Sequence, residues 1–254
     1  MQQADVFNVS SNELTALLKR VFEAMGCDQS ALEDAAYSIV AAESRGFPTL
    51  DTLPKILERL QGEKPAPASG VDKNTDWLEI NGNCSSVACY GSVFADLAAA
   101  YVKRVNKCVF VRVRSCHERL MILHALLSNA ASGVPMLAYW NRQSPPDQWC
   151  AYLASSEPAA DQYLEYTLSD KTSSPDCLNL IAAPEFEQIL PHWQQIQAQS
   201  KQQKAISAAE IQHRFELSIS NGIPIQRSLW EHLQQIALNV LVPSSERSRA
   251  GAGA

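Results

Sequence analysis

Apolar residues recur at helical spacing through the first quarter of the chain, which predicts three amphipathic helices. The predicted helices cover 10–26, 28–46 and 49–60. Ser10 or Ser11 can cap the first helix and Asp28 the second, while Gly26 and Gly46 supply their C-terminal stops. The chain therefore begins with a helical segment, for which we expect the bounds 1–64.

A Pro/Gly/Ser connector, Lys64–Gly70, separates this segment from a stretch in which strands and helices alternate. Strands are predicted at 77–80, 108–113 and 134–140, and helices at 93–102 and 119–131. Residues 81–83 read as a turn. The second and third strands are almost continuously apolar, which is typical of a sheet buried on both faces. The order of elements predicts the α/β class, with an α/β domain over 71–254.

The pattern weakens after Asn141. Residues 142–176 are rich in Ser, Pro, Asp and Gln, with one strand predicted at 163–168. Beyond them we expect a core strand at 178–182, helices at 184–203 and 227–241, and a flexible tail at 243–254.

Composition narrows the classes of function. The 254 residues carry a formal net charge of −6, which argues against a general nucleic-acid binder. No run approaches the roughly 18 apolar residues of a membrane span, and Met1–Ser10 does not resemble a signal peptide. We therefore expect a cytoplasmic protein. The seven cysteines form no CxxC pair and fit no metal-ligand spacing, so no metal site is predicted and buried structural thiols are expected.

One segment departs from the acidic balance. Residues 71–142 contain eight basic and five acidic side chains, a local charge of +3. Such a region favours a small anionic metabolite as ligand, although ordinary variation in surface charge explains the same count. The chain has no GxGxxG, GxxxxGK[ST] or GxSxG motif, so the usual phosphate loops and the nucleophile elbow are not present.

The most suggestive stretch for chemistry is Val111–His117, a polar cluster that ends a predicted buried strand. His117 is a candidate general acid or base, and Ser115 could orient it or bind substrate. Arg112 and Arg114 are candidates for clamping a substrate carboxylate. A histidine in this position can equally be a surface or helix-capping residue. His124 follows two turns along the same predicted helix, where a partly buried structural histidine is the alternative to a ligand.

Several weak motifs occur in an order that resembles the type-2 malate/L-lactate dehydrogenase family. They are Ala42-Glu43-Ser44-Arg45-Gly46, Leu53-Pro54, Glu58-Arg59-Leu60, Ile80-Asn81-Gly82, Val111–His117 and Gly133–Asn141. The resemblance covers roughly residues 10–141 and implies a fold unrelated to the Rossmann dehydrogenases, a homodimer, and NAD(P)-dependent reduction of 2-oxo or imino acids. It also implies that His117 corresponds to a histidine that transfers a proton to the substrate.

The chain departs from the family's pattern at two functional places. The family has a Ser-His-Gly before its Leu-Pro, whereas residues 47–52 contain no histidine. The family also has a Gly-Thr-Asn-Pro nucleotide loop after the strand that ends here at Asn141, and this chain has Arg-Gln-Ser-Pro-Pro-Asp at 142–147. Residues 142–205 therefore correspond to a degenerate nucleotide-binding region. The opening Ser11–Leu14 and closing Ser248–Ala254 resemble an uncharacterised bacterial branch of the family.

Three hypotheses follow. The first is a dehydrogenase-like protein that has lost ordinary NAD-dependent catalysis and keeps a small-molecule pocket near His117, or acts as a partner or regulatory subunit. The second is an active NAD(P)-dependent oxidoreductase that uses His117 as proton donor. The third is a structural interaction module.

Overall fold

A computed structural model describes residues 5–62, 69–74, 77–142, 147–157, 161–168 and 177–239. The helices are α1 (Ser11–Ala24), α2 (Gln29–Glu43), α3 (Leu53–Gly62), α4 (Val87–Val105), α5 (Leu123–Ala131), α6 (Phe186–Gln199), α7 (Ala208–Asn221) and α8 (Arg227–Ala237). The strands are β1 (Val6–Val9), β2 (Ser69–Asn74), β3 (Trp77–Ser86), β4 (Val109–His117), β5 (Met136–Asn141), β6 (Gln148–Ala154), β7 (Gln162–Leu168), β8 (Cys177–Ala182), β9 (Ser200–Ile206) and β10 (Ile223–Gln226). The predicted tail at 243–254 and residues 64–68 of the predicted connector lie outside the described residues.

The three N-terminal helices confirm the helical pattern of the first quarter. Ser10 caps α1 in a capping box, in which its hydroxyl accepts the Glu13 amide at 3.2 Å and the Glu13 carboxylate accepts the Ser10 amide at 2.9 Å. The apolar stripe of α1 is buried and packs against α2. Pro54 is the second residue of α3, where its missing N–H costs no intrahelical bond.

The centre of the molecule is an eight-stranded mixed sheet with the order β2-β3-β4-β8-β5-β6-β7-β9. Only β3 and β4 pair in parallel; the other neighbours are antiparallel. Because β4 and β5 both lie antiparallel to the intervening β8, they run in the same direction. The carboxyl ends of β4 and β5 therefore meet at one edge of the sheet, which is where α/β folds place ligand sites.

The structure corrects the predicted turn at 81–83, because β3 continues through it to Ser86. The strand bulges there, with Asn83 and Cys84 at positive φ and a register shift against β4 between Asn81 and Ser85. Gly82 lies directly against the backbone of β4, since a Cβ atom at this position would lie 2.7 Å from the Arg114 carbonyl oxygen. Hydrogen bonding to β4 thus carries the chain past a sequence that is typical of a turn.

Three other predictions need correction. The helix predicted at 119–131 begins with a 3₁₀ turn, Arg119–Ile122, so His117 lies on β4 and shares no helix with His124. The helix predicted at 184–203 ends at Gln199, and the chain continues as β9. Residues 69–70 of the predicted connector already belong to β2.

Several elements carry no prediction at all. Strands β1 and β10 form a separate two-stranded sheet that joins the two ends of the described chain, and β6 and α7 are also unpredicted. One apolar cluster runs from α1 and α2 through α4 and the sheet to α8. In the part of the chain that the structure describes, no helix combines the length and apolar character needed to cross a membrane.

Candidate functional site

A cavity of about 440 Å³ opens at the edge where β4 and β5 end. Its walls come from the loop before α3 and from α3 itself, from the turn after β4, from the end of β5, and from facing positions of β6 and β7. This volume falls within the range of small-molecule sites in proteins. The topology alone brings these six parts of the chain together.

Arg119 fixes the floor of the cavity. Its side chain is buried, and Nη1 donates to the Asn141 backbone oxygen at 2.8 Å and to Asn141 Oδ1 at 3.1 Å. Its Nε donates to the Cys116 carbonyl oxygen at 3.1 Å. A planar guanidinium suits such fixed acceptors, and it ties the end of β4 to the end of β5.

Glu118 is the residue at which β4 turns into the 3₁₀ turn. Its φ of 50° lies in the left-handed region, an uncommon conformation for a residue with a side chain. The side chain is 10% exposed and pairs through Oε1 with Arg59 of α3, which is 34% exposed. Its second oxygen, Oε2, is buried and has no hydrogen-bond partner among the described residues. The turn after β4 therefore holds a carboxylate that is only half satisfied, beside the cavity.

The sheet side of the cavity is a row of cross-strand neighbours. Trp140 of β5 stands opposite Cys150 of β6, which stands opposite Glu165 of β7, so the three project to one face. The Tyr163 hydroxyl lies 3.1 Å from Glu165 Oε1 and 3.2 Å from Cys150 Sγ. Burial raises the pKa of the Cys150 thiol to about 11 and holds the pKa of Tyr163 well above its ordinary value. Neither group is a thiolate or phenolate at neutral pH, so this wall contacts a ligand through neutral donors and one carboxylate.

The loop before α3 closes the opposite side with apolar groups. Glu43 of α2 anchors it by accepting the Thr49 hydroxyl at 2.9 Å and the backbone amides of Thr49 and Leu50. Phe47 is 3% exposed and packs edge-on against Tyr163, with ring centroids 4.7 Å apart. The segment that has no histidine therefore presents phenylalanine, proline and threonine to the cavity.

The residues predicted as site candidates are not among the described residues that line this cavity. Arg112 packs over the Trp77 ring at 4.9 Å and donates to Asn179 Oδ1 at 3.2 Å, while Arg114 pairs with Glu79 at 3.0 Å. Ser115 is exposed at a φ of 53°, and His117 is partly buried at the end of β4, opposite Ser86.

The functional candidates that sequence reasoning missed stand next to those it named. Glu118 and Arg119 follow His117 directly, and Arg59 and Asn141 belong to the quoted motifs. The motifs drew attention to these positions. That they line a cavity depends on which strand ends meet in the sheet, which the sequence does not give. Tyr163 and Glu165 gave no signal beyond a predicted strand.

The remaining predictions have mixed outcomes. His124 is partly buried and stacks on Tyr37 with ring centroids 5.4 Å apart, which fits the structural alternative. Four of the seven cysteines are buried, two are intermediate, and Cys84 is exposed, so the expectation of buried thiols holds only in part. The described residues contain no group of three or more side chains placed to hold a metal ion.

The described lining does not fit a dinucleotide. Arg119 is held by carbonyl oxygens, and Arg59 and Arg142 already contact the protein's own Glu118 and Gln148, the latter at 3.2 Å. No glycine lines the cavity in the described part of the chain, so no backbone cradle of the kind that binds pyrophosphate is seen there.

Comparison with known proteins gives a fold and a partial family match. Residues 9–81 match a family model described as a protein of unknown function, DUF3726. No curated protein matches the chain in sequence.

Solved structures match over most of the chain. A dehydrogenase from Sinorhizobium meliloti aligns with a TM-score of 0.69 at 12% identity, over 92% of this chain and 100% of that one. Malate dehydrogenase from Pyrococcus horikoshii gives 0.68 at 14% identity, over 95% and 98%. Delta1-piperideine-2-carboxylate reductase from Pseudomonas syringae gives 0.60 at 11% identity, over 90% and 99%.

The fold is therefore that of the type-2 malate/lactate dehydrogenases, as the ordered motifs predicted. The likeness extends beyond the 10–141 region that carried the sequence resemblance, since the alignments include nearly the whole chain. At these identities the comparison establishes the fold, and the chemistry must be argued from the residues themselves.

Proposed function

We propose that this protein binds a small metabolite that carries an anionic carboxylate group in the cavity between α3 and the ends of β4 and β5, and that it does so without ordinary nicotinamide-dependent catalysis. The observation that carries the proposal is the lining itself. Lys55 and Arg142 are exposed basic groups at the cavity, and Arg119 adds a buried positive charge behind them. Fields focus in such a concave site and favour a small anion.

Two features support the proposed lack of ordinary nicotinamide-dependent catalysis, one concerning proton transfer and one concerning hydride transfer. Residues 47–52 supply no histidine, and the described lining supplies no pyrophosphate cradle. A dehydrogenase depends on the protein to position the cofactor, because the hydride chemistry belongs to the cofactor. A binding, partner or regulatory role requires only the cavity.

A ligand screen with a blocked cavity tests the proposal. The purified chain is heated with 2-hydroxy, 2-oxo and 2-amino acids of three to six carbons, and its Tm is measured. Ligand present at about 100 times its Kd adds about 2.7 kcal/mol, which raises the Tm by several degrees in a chain of this size.

Thr52→Trp fills the cavity from its exposed rim, and Glu58→Trp places the same bulk on α3 outside the lining. We expect the shift in Tm to disappear in Thr52→Trp and to persist in Glu58→Trp. A shift that survives in Thr52→Trp, or no shift with any acid, would contradict the proposal.

A further inference from the structure

The unpaired oxygen of Glu118 restricts which small carboxylic acid the cavity takes. A buried carboxylate oxygen without a hydrogen-bond donor loses its hydration and gains nothing in exchange. Glu118 Oε2 is in that state, on a side chain that is nine-tenths buried and lines the cavity. Such a group is completed when a ligand brings a donor to it.

Arg59 is the described partner of Glu118 at the cavity. It pairs with Glu118 through Oε1 and is one-third exposed, so part of its guanidinium stays open to a ligand. Arg59 and Lys55 both project from α3 to the cavity, one turn of helix apart. A ligand carboxylate that approaches α3 therefore meets two basic side chains beside Glu118.

To satisfy Glu118 Oε2, the ligand then needs a positively charged donor group beside its own carboxylate. We propose, on the basis of the proposed function, that the ligand is a small α-amino acid bound as a zwitterion between Arg59 and Glu118. Its carboxylate binds Arg59 and Lys55, and its ammonium group donates to Glu118 Oε2.

The number of hydrogen-bond donors distinguishes α-amino acids from 2-hydroxy and 2-oxo acids as ligands. An ammonium group brings three donors and a positive charge, a hydroxyl group brings one neutral donor, and a keto group brings none. Hydrogen bonds between charged groups are roughly twice as strong as neutral ones. The 2-amino acid is therefore bound more tightly than the matching 2-hydroxy acid, and the 2-oxo acid leaves Glu118 unpaired.

The rest of the lining suits a side chain of moderate size. Phe47, Ile56 and Trp140 offer apolar walls, and the cavity of about 440 Å³ has room beyond the amino and carboxylate groups. An aliphatic amino acid fits these walls.

The test is a calorimetric titration of the full chain with the twenty common L-amino acids. The tightest binder is followed by its 2-hydroxy and 2-oxo counterparts and by the amine that decarboxylation leaves. We expect the amino acid to bind about tenfold or more tighter than each analogue, the difference that a charge-assisted hydrogen bond makes.

Glu118→Gln should weaken the amino acid by about tenfold or more and leave the 2-hydroxy acid within about threefold, since only the charged partner is lost. Glu58→Gln removes an exposed acid one residue from Arg59 and outside the lining, and it should change neither affinity. If Glu118→Gln does not fold, the analogue series on the unaltered chain still decides the question.

Two results would overturn the inference in different ways. Hydroxy or oxo acids that bind as tightly as the amino acid refute the zwitterion and leave the proposed cavity in place. Absence of binding across all three acid classes refutes the proposed function, and this inference falls with it.

Discussion

Arg119 Nη1 lies 2.8 Å from the backbone oxygen of Asn141, which joins the ends of two strands that are not neighbours in the sheet. Strand β8 lies between them. The contact determines the spacing of the turn after β4 and the end of β5, and those two segments form the floor of the cavity. The geometry of the cavity floor therefore depends on this one buried guanidinium.

Arg119→Lys should destabilise the protein by about 1–3 kcal/mol. A single ammonium cannot satisfy both Asn141 and the Cys116 carbonyl oxygen at the positions of Nη1 and Nε, so a buried acceptor loses its donor. Urea denaturation measures the difference. Arg142→Lys is the control, since its side chain is 46% exposed and should change stability by no more than about 0.5 kcal/mol. Equal midpoints for both variants would show that the clamp does not contribute.

Gly82→Ala should destabilise the protein by about 1–3 kcal/mol through overpacking. The new Cβ atom would lie 2.7 Å from the Arg114 carbonyl oxygen and 3.0 Å from that of Ser115, and backbone atoms cannot rotate aside. Strand β4 must move at the point that leads to Glu118. Chemical denaturation gives the stability, and an unchanged midpoint would mean that the two strands separate there without cost.

The stability of the protein should fall as the pH drops below neutrality, in part through His124. Burial lowers its pKa in the folded state below the ordinary value for histidine, with Asp34 opposing and Arg45 adding to that effect. The unfolded chain then binds the proton more readily, so the loss begins near the unfolded pKa and is complete below the folded pKa.

His124→Phe keeps an aromatic ring against Tyr37 and removes the titration. We expect its unfolding free energy to decline less than that of the unaltered protein between pH 7.5 and 5. His232→Gln, which alters an exposed histidine, should leave the decline unchanged. Parallel curves for all three proteins would exclude His124 as the cause.

Cys84 should react first with iodoacetamide in the native protein. It is the one exposed cysteine of the seven, whereas Cys116 and Cys150 are buried and burial raises the pKa of each thiol to about 11. Because the thiolate is the reactive form, burial and the raised pKa both slow the alkylation of Cys116 and Cys150. Mass spectrometry after brief alkylation locates the label, and Cys84→Ser should remove the fast phase. Early labelling of Cys150 would mean that the cavity wall opens readily.

Local patterns were sufficient to predict the helices of the first quarter and the strands that end at the cavity. The 3.6-residue periodicity of α1 and the continuous apolar run of β4 depend on residues close together in the chain. Strand β9 has the sequence Ser-Lys-Gln-Gln-Lys-Ala-Ile, whose residues favour helix, and it exists because β7 offers it hydrogen bonds. Strand β6 is buried along nearly its whole length, so its residues show no alternation that would mark a strand.

The site was less predictable than the fold for the same reason. The sequence directs attention to the end of β4, but a shift of one residue decides which side chains reach the cavity. The positive φ values at Ser115 and Glu118 determine which way the side chains at the end of β4 point, and no local motif predicts these values. The candidate roles of His117, Ser115, Arg112 and Arg114 stay predictions, as does the homodimer, which sizing chromatography can test.

The most direct test of the account is a calorimetric titration of the purified chain with NADH and with NADPH. The account predicts no binding heat up to about 1 mM of either cofactor, because the described cavity offers small-molecule recognition and no pyrophosphate cradle. The unaltered chain should meanwhile bind its small acid in the same buffer. Binding of NADH or NADPH with a Kd on the order of micromolar, together with turnover of a 2-oxo acid that His117→Ala abolishes, would contradict it and establish an active oxidoreductase.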